Sequence, residues 1–441
     1  MQSGSEDLKN MSAHGATCAD KGAPLRLVLY ETSANGHRGA YLVAISSEAA
    51  RRGWSVTVVT PARDRVNQYF DALRDLLGAQ NLIFTPYSMD FPKRVSALSM
   101  VRYHLDEWRA CRQSLATVPW PFDTVYAPNI DYMDKAMQLR GAPSYPVPMG
   151  GMTMRARFHL KSLGVETHGS LLPSLAALSF YHLLNARGVS CITTADPSLA
   201  RYCERQRAAR YRKVSYVPEL GMRPPSIDPR TAKSAFGFGH DDKIILIFGF
   251  IDARKACTQL LESLERVDPG LRIRVLIVGR PDQATLSALT GSRFDSLRDA
   301  GVLVTRLEFA DNEMQDLAFA AADAVWTAYH EHSTMSGVFA QALSCSLPVI
   351  GPDYGLLSWL ISQYKVGICV NIANPADTAG RIEAMFRDIE NFKTFRANAK
   401  SISERHLPQS FGSAVCDAIS ATRTSRSAPH STQQTAADSR V

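Results

Sequence analysis

The chain has 441 residues, 45% of them hydrophobic and 21% charged, which is the composition of a globular protein of two or three domains and not of a disordered or collagen-like one. Its longest apolar stretch, 171–184, is broken by Pro173, Ser174, Ser179 and His182 and is too short to span a bilayer, and 1–24 lacks the apolar segment of a secretory signal, so a cytoplasmic location is expected. Charge is uneven: residues 1–220 carry 26 Lys and Arg against 18 Asp and Glu, residues 221–441 carry 23 against 24. A basic first half is either a solvated surface or a face for an anionic partner, a phosphate-bearing ligand or the inner face of a membrane touched peripherally. Nucleic acid is not expected, because no basic run interleaves with aromatic residues. The eight cysteines include no C-x-x-C pair, which argues against a structural zinc site or a disulfide scaffold.

Residues 1–24 and 424–441 read as flexible tails. Between them strand-like and helix-like segments alternate. An apolar strand at 25–30 is followed by a loop at 31–39, a helix at 40–52 stopped by Gly53, and a second strand at 54–59, together one crossover unit. Further strands are expected at 81–84, 124–127, 189–193 and 214–217, with a Pro-rich loop at 143–148 and a Gly- and Pro-rich linker from 221 to 229. A second series follows: strands at 243–248, 272–278, 302–307, 324–327 and 347–350, with helices at 255–267, 314–321 and 337–345. Continuous apolar runs, in place of alternation, mark strands buried on both faces. The fold class is therefore α/β, two doubly wound Rossmann-like domains at 25–220 and 221–405, with ligands bound at the carboxyl ends of the strands in the cleft between them.

Three segments can carry chemistry. In the loop after the first strand, Gly36 and Gly39 allow close backbone approach, while His37 and Arg38 add donors at a helix start that favours an anion; a tight turn with exposed basic residues is the plainer alternative. Phe248-Gly249-Phe250-Ile251-Asp252-Ala253-Arg254-Lys255 ends a buried strand and opens a helix. Adjacent cations there suit a departing diphosphate, and they sit at the helix end where the dipole otherwise disfavours them. In 329–341, Ser336 can cap a helix opening at Gly337 and Val338 and so present free N–H groups to phosphate or sugar oxygens. His330 and His332 flank Glu331, but this spacing matches no standard zinc motif.

Residues 243–380 together resemble the donor-binding domain of the GT-B glycosyltransferases, particularly the large retaining family 4. That family opens with Gly-Arg-x-x-x-x-Lys-Gly after a buried strand; here Gly249 is followed by Phe250, and Lys255 is kept before Ala256. Arg254 or Arg280 would stand in for the missing arginine. The family's two glutamates, seven residues apart, align with Ser333 and Gln341 when Pro348-Val349-Ile350 is matched; Gln341 can still bond ribose hydroxyls, and Glu331 lies two residues from Ser333. The resemblance implies a closing helix, 406–423, that returns to the first domain. It also places the acceptor on that first domain, with a polar residue after a middle strand, here Asn129 or Asp131. The stretch Met154-Arg155-Ala156-Arg157-Phe158-His159 alternates as a strand with a basic face would, which makes Arg155 and Arg157 candidates for an acidic or phosphorylated acceptor and His159 a catalytic candidate; an exposed edge strand is the plainer alternative.

The implied function is transfer of a sugar from a UDP- or GDP-linked donor to a saccharide, lipid-linked or small-molecule acceptor, retaining and without a metal or other cofactor. Lys255 and Arg254 would stabilise the leaving charge. Two other outcomes fit the same architecture: a sugar-nucleotide epimerase, and a catalytically degenerate GT-B protein serving as a binding or regulatory subunit, for which the replaced glutamates and arginine are the motive.

Overall fold

The computed structural model describes residues 24–33, 37–62, 68–87, 96–119, 121–163, 165 and 173–427. The expected tails at 1–23 and 428–441 and the turn at Gly36 lie outside them.

Seven strands form the first sheet: β1 Arg26–Tyr30, β2 Ser55–Pro61, β3 Leu82–Thr85, β4 Thr124–Ala127, β5 Met149–Thr153, β6 Val189–Thr194 and β7 Val214–Tyr216, in the order β3-β2-β1-β4-β5-β6-β7. Six more, β8 Lys243–Phe248, β9 Ile273–Val278, β10 Leu303–Arg306, β11 Ala324–Trp326, β12 Val349–Pro352 and β13 Gly367–Val370, form a second sheet in the order β10-β9-β8-β11-β12-β13. Every pairing is parallel, so helices must return the chain across both faces. β8 and β9 bury nearly every residue, as their unbroken apolar runs require.

The Met154–His159 stretch is not a strand. The strand is β5, one segment earlier, and residues 154–157 are irregular. In its Gly150-Gly151 pair, a Cβ at Gly150 would sit 2.3 Å from Cys191 Sγ and one at Gly151 2.3 Å from Ile130 Cγ2. The glycines are there because neighbouring elements press against the strand.

Helix Pro408–Ser427 packs along helix His37–Arg51, burying Phe411, Val415, Cys416 and Ile419. The Tyr41 and Phe411 rings stack at 4.8 Å, and Arg52, bonded to Glu48 one turn before it, reaches across to Ser413 Oγ and Asp417. This helix continues through 424–427, residues expected in a tail. The chain passes between domains twice, at 217–222 and at 404–408, and the two crossings are bonded to each other: Gly221 N–H donates to the His406 carbonyl and His406 Nδ1 meets the Glu219 carbonyl, each at 2.8 Å.

The Glu219 side chain is buried at this crossing, accepting from the Tyr41 hydroxyl and the Leu220 N–H. Burial raises its carboxyl to about 7, the two hydrogen bonds pulling the other way. Between about pH 4.5 and 7 the folded state therefore holds a proton that the unfolded state has released, and the Glu219 contribution to stability falls as pH rises. Glu219→Gln should gain stability relative to the parent across that window, by on the order of 3 kcal/mol in urea unfolding at pH 4.5 and 7.5. A difference that does not change with pH would refute a protonatable crossing.

Candidate active site

On the second domain the site is built at the carboxyl ends of β8, β9 and β11. β8 runs out at Phe248, and the loop passes Gly249, exposed Phe250 and Asp252 before a short 3-10 turn, Ala253–Lys255, and helix Cys257–Leu264. Lys255 is only 3% exposed. Its Nζ donates to the Phe248 carbonyl, approaches the Tyr329 hydroxyl at 3.3 Å, and lies 4.8 Å from the Tyr329 ring centroid. No ion pair to Lys255 occurs among the described residues. Arg254 lies 5.2 Å from the same ring, with Asp252 Oδ2 3.7 Å from its Nε. Tyr329 thus holds both cations together at the end of the strand.

The loop after β11 is pinned to these cations. His330 N–H donates to the Arg254 carbonyl at 2.7 Å, the Trp326 indole donates to the Lys255 carbonyl at 2.9 Å, and the Tyr354 hydroxyl lies between the Tyr329 carbonyl and the Glu331 N–H. His332 turns Nε2 to the Met335 carbonyl at 3.2 Å. Burial first, and then Arg254, Lys255 and Arg157, hold its imidazole down at about 4, so it is neutral near pH 7. Among the described residues no group of three His, Cys, Asp or Glu side chains is placed to hold a metal ion.

Ser336 caps helix Gly337–Ser344, accepting from the Phe339 N–H at 3.4 Å and approaching the Tyr329 hydroxyl at 3.5 Å. The space beside Gly337 is open, a Cβ there meeting nothing within 4 Å. Val338 packs partly against the core and Gln341 is half-buried. Ser333, at one glutamate-aligned position, is 2% exposed, and its Oγ is buried without a hydrogen-bond partner. Glu331 is exposed, its backbone at φ 49°. Arg280 is also exposed; its carbonyl accepts from the Ile251 N–H, and the two loops approach so closely at Gly279 that a Cβ there would lie 1.8 Å from the Gly249 carbonyl oxygen.

Across the cleft, Arg157 is near enough to bear on His332. Asn129 and Asp131 lie just past β4. Asn129 Oδ1 accepts from the Asp131 N–H, while the Asp131 carboxylate accepts from Thr153 Oγ1 at 2.7 Å and from Met154 N–H at 2.9 Å. Burial raises the Asp131 carboxyl, and those two bonds oppose it. Arg155 stacks over Tyr132 at 4.4 Å, and Arg38 lies 5.9 Å from the same ring. His37 opens helix His37–Arg51, which is all that the described residues give of it.

His159 does not line the cleft. It is 0% exposed, with Nε2 lodged between Asp196 Oδ2 at 2.8 Å and Ser198 Oγ at 2.9 Å, and it anchors the loop to the start of helix Pro197–Glu204. A histidine reached through an irregular segment faces inward, where an alternating strand would have turned it out.

Sequence reasoning passed over Glu31, Tyr132 and Tyr329. Glu31, directly after β1, is buried, bonds Arg38 and the Thr32 and Ser33 N–H groups through Oε1, and leaves Oε2 buried without a hydrogen-bond partner. A carboxylate immediately following a buried strand was the available signal. Tyr132 and Tyr329 gave none, because a lone tyrosine after a strand is more often core.

Residues 242–388 match the family described as glycosyl transferases group 1. The second domain is a group 1 glycosyltransferase domain. No curated protein matches the sequence. Among solved structures, the chain resembles HepE from Anabaena in complex with UDP and glucose, at a TM-score of 0.60 and 15% identity over 90% of this chain and 100% of that one. It also resembles the sucrose-phosphate synthase of Thermosynechococcus elongatus, at 0.62 and 15% over 91% and 98%, and WaaG, a glycosyltransferase involved in lipopolysaccharide biosynthesis, at 0.56 and 14% over 90% and 99%. The two sheets facing one another are the GT-B fold.

Two glycines of the glycosyltransferase domain should separate folding from binding. Gly279→Ala forces a clash with backbone and should destabilise by more than ~3 kcal/mol, whereas Gly337→Ala should change stability by less than ~1 kcal/mol. If the open space at Gly337 admits a ligand, Gly337→Ala should also weaken nucleotide-diphosphate binding by about tenfold, read by calorimetry.

Proposed function

We propose that the protein transfers a sugar from a nucleoside-diphosphate donor, held on the second domain, to a hydroxyl of an acceptor held on the first, with retention at the anomeric carbon and without a metal. The observation that carries this reading is Lys255, an ammonium taken out of water and held by a carbonyl and a phenol, with no carboxylate ion-paired to it among the described residues. Such a cation lacks a counter-charge, and a diphosphate supplies one. Arg254 shares the Tyr329 ring, and the N-terminal amides of helix Gly337–Ser344 open beside them. These are the groups needed where charge grows as the bond between the anomeric carbon and the diphosphate oxygen breaks.

In the proposed reaction the acceptor oxygen bonds to the anomeric carbon on the face the diphosphate leaves, and the acceptor proton passes to a departing phosphate oxygen. Lys255 and Arg254 take up the developing charge on that phosphate. Gln341 is assigned to ribose hydroxyls, and Glu331, Ser333, Phe250 and Arg280 to the rest of the donor. On the acceptor side, Asn129 and Asp131 are assigned to its hydroxyls. Arg38, Arg155 and Arg157 suit an acceptor that is itself anionic, with Tyr132 as the surface against which a sugar ring packs. The HepE complexes, which contain UDP and UDP-glucose, support a uridine nucleotide as the first donor to test, with a guanosine nucleotide as the other.

The second reading is a GT-B protein that binds the nucleotide sugar and does not turn it over. Ser333 favours it, since a buried hydroxyl replaces the carboxylate that the family resemblance places there.

Lys255→Ala should lower turnover of the accepted nucleotide sugar by roughly 10²–10³-fold, and a chelator should leave the parent rate unchanged. Unchanged turnover in Lys255→Ala would overturn the role of the cation, and loss of activity in chelator would overturn the metal-free mechanism. Melting temperature with a panel of nucleotide sugars separates the two readings from a misassigned site: stabilisation without turnover supports the binding protein, and no stabilisation by any of them overturns both.

A further inference from the structure

Strand order divides the helices of the first domain between two faces. Helices His37–Arg51 and Gln68–Leu77 connect β1, β2 and β3 on one face, which helix Pro408–Ser427 then covers. The other face carries helices Ala97–Leu115, Asp134–Arg140, Pro173–Asn185 and Pro197–Glu204 with the turn Ala209–Lys213. Among the described residues the second domain reaches this layer at helix Pro197–Glu204, where Arg201 lies 5.7 Å from the Trp359 ring, and no helix lies over the other three.

The two faces differ in charge and in apolar exposure. Segments 97–115, 134–140, 173–187 and 197–213 carry twelve Lys and Arg against four Asp and Glu, whereas 37–51, 68–77 and 408–427 carry five against four. On the basic face Leu98 and Leu139 are 80% exposed, Leu175 57%, and Val101 and Leu178 51%. The helices that carry them are joined to one another. His104, one turn beyond Val101, lies 3.1 Å from Asp134; Lys135 bonds Ser179 Oγ, as does Gln138; and Leu175 and Leu178 lie on the Ser179 side of their helix. Helix Pro173–Asn185 holds no Lys, Arg, Asp or Glu, so its leucines stand in a neutral strip with arginines on the flanking elements.

We propose that this face seats on an anionic lipid surface, with the leucines entering the headgroup region and the arginines contacting the acidic headgroups. Isolated exposed apolar residues need no explanation, but four leucines and a valine on one layer among a threefold excess of basic residues have the composition of an interfacial anchor. No described helix is long and apolar enough to cross a membrane, so the contact is with the surface. Helices return antiparallel to the strands, so Leu98, Val101, Leu175 and Leu178, all in the first two turns of their helices, stand near the carboxyl edge of the sheet, beside Asn129, Asp131 and Tyr132. Resting on the placement of the acceptor given above, this orientation turns the acceptor side of the cleft toward the bilayer and selects an acceptor with a lipid-linked, anionic carrier.

The test is sedimentation of the full chain with vesicles of phosphatidylglycerol and phosphatidylcholine, against phosphatidylcholine alone. The parent should bind the anionic vesicles at low salt and lose about tenfold or more in affinity when salt is raised to about 0.5 M. Leu175→Ser/Leu178→Ser should weaken binding about tenfold or more, as should Arg102→Glu with Arg112→Glu and Arg207→Glu. Phe309→Ser with Ile389→Ser, equally exposed on the second domain, should leave it unchanged. No binding of the parent at low salt, or unchanged binding of the leucine variant, overturns the proposal. A parent dimer in sedimentation velocity that the leucine substitutions dissociate also overturns it, in favour of a second copy as the occupant. Vesicle binding needs no turnover, so its failure is distinct from failure of the transferase reading, which the nucleotide-sugar melting shift reports separately for parent and variant.

Discussion

An ammonium buried without a carboxylate is the constraint around which the second domain is arranged. Moving Lys255 out of water is unfavourable unless its protons are met, and the Phe248 carbonyl and the Tyr329 hydroxyl meet them only as neutral dipoles. The surrounding architecture follows from holding those dipoles in place. Trp326 anchors the Lys255 carbonyl, Tyr354 fixes the backbone of the Tyr329 loop, and the open φ at Gly279 lets the β9 loop lie against the β8 loop. Under the proposed function, a site with so many neutral contacts and so little negative charge is prepared for the diphosphate before it arrives.

The first domain is organised differently. Its polar groups at the strand ends are mostly satisfied by one another: Asp131 by Thr153 and Met154, Asn129 by the backbone of Asp131, Glu31 by Arg38. Beside them lie an aromatic ring and two cations, Tyr132 between Arg155 and Arg38. Under the proposed function one lobe supplies the cations that meet the diphosphate and the other a ring with flanking charge, and the neutral His332 lies where Arg157 comes near from the other side.

Much of this was legible in the amino-acid order because buried parallel strands write themselves as unbroken apolar runs. β8 and β9 are such runs, and the loop that follows β8 could be located from them. β5 was hidden for the opposite reason: four of the five residues of Met149–Thr153 are glycine or methionine, and the strand is pressed by Cys191 and Ile130 from neighbouring elements that no local pattern reveals. Displacing the strand onto 154–159 then turned His159 outward on paper, when tertiary packing seals it against Asp196 and Ser198. The Lys255 and Arg254 pair was visible, but the tyrosine that binds the two together was not, since its role depends on the β11 loop folding back across β8.

The return of helix Pro408–Ser427 onto helix His37–Arg51 makes the second lobe, in connectivity, an insertion within the first. During synthesis from the amino end, Tyr41, Ala44 and Ile45 wait without their cover until 408–427 leaves the ribosome. The inserted lobe closes with helix Ile389–Ser403, whose Phe395, Ala399 and Ile402 enter its core, and that helix is made before 408–427. Order of maturation thus runs opposite to order of translation: the lobe made second is the first able to close its core, and the one begun earliest finishes last.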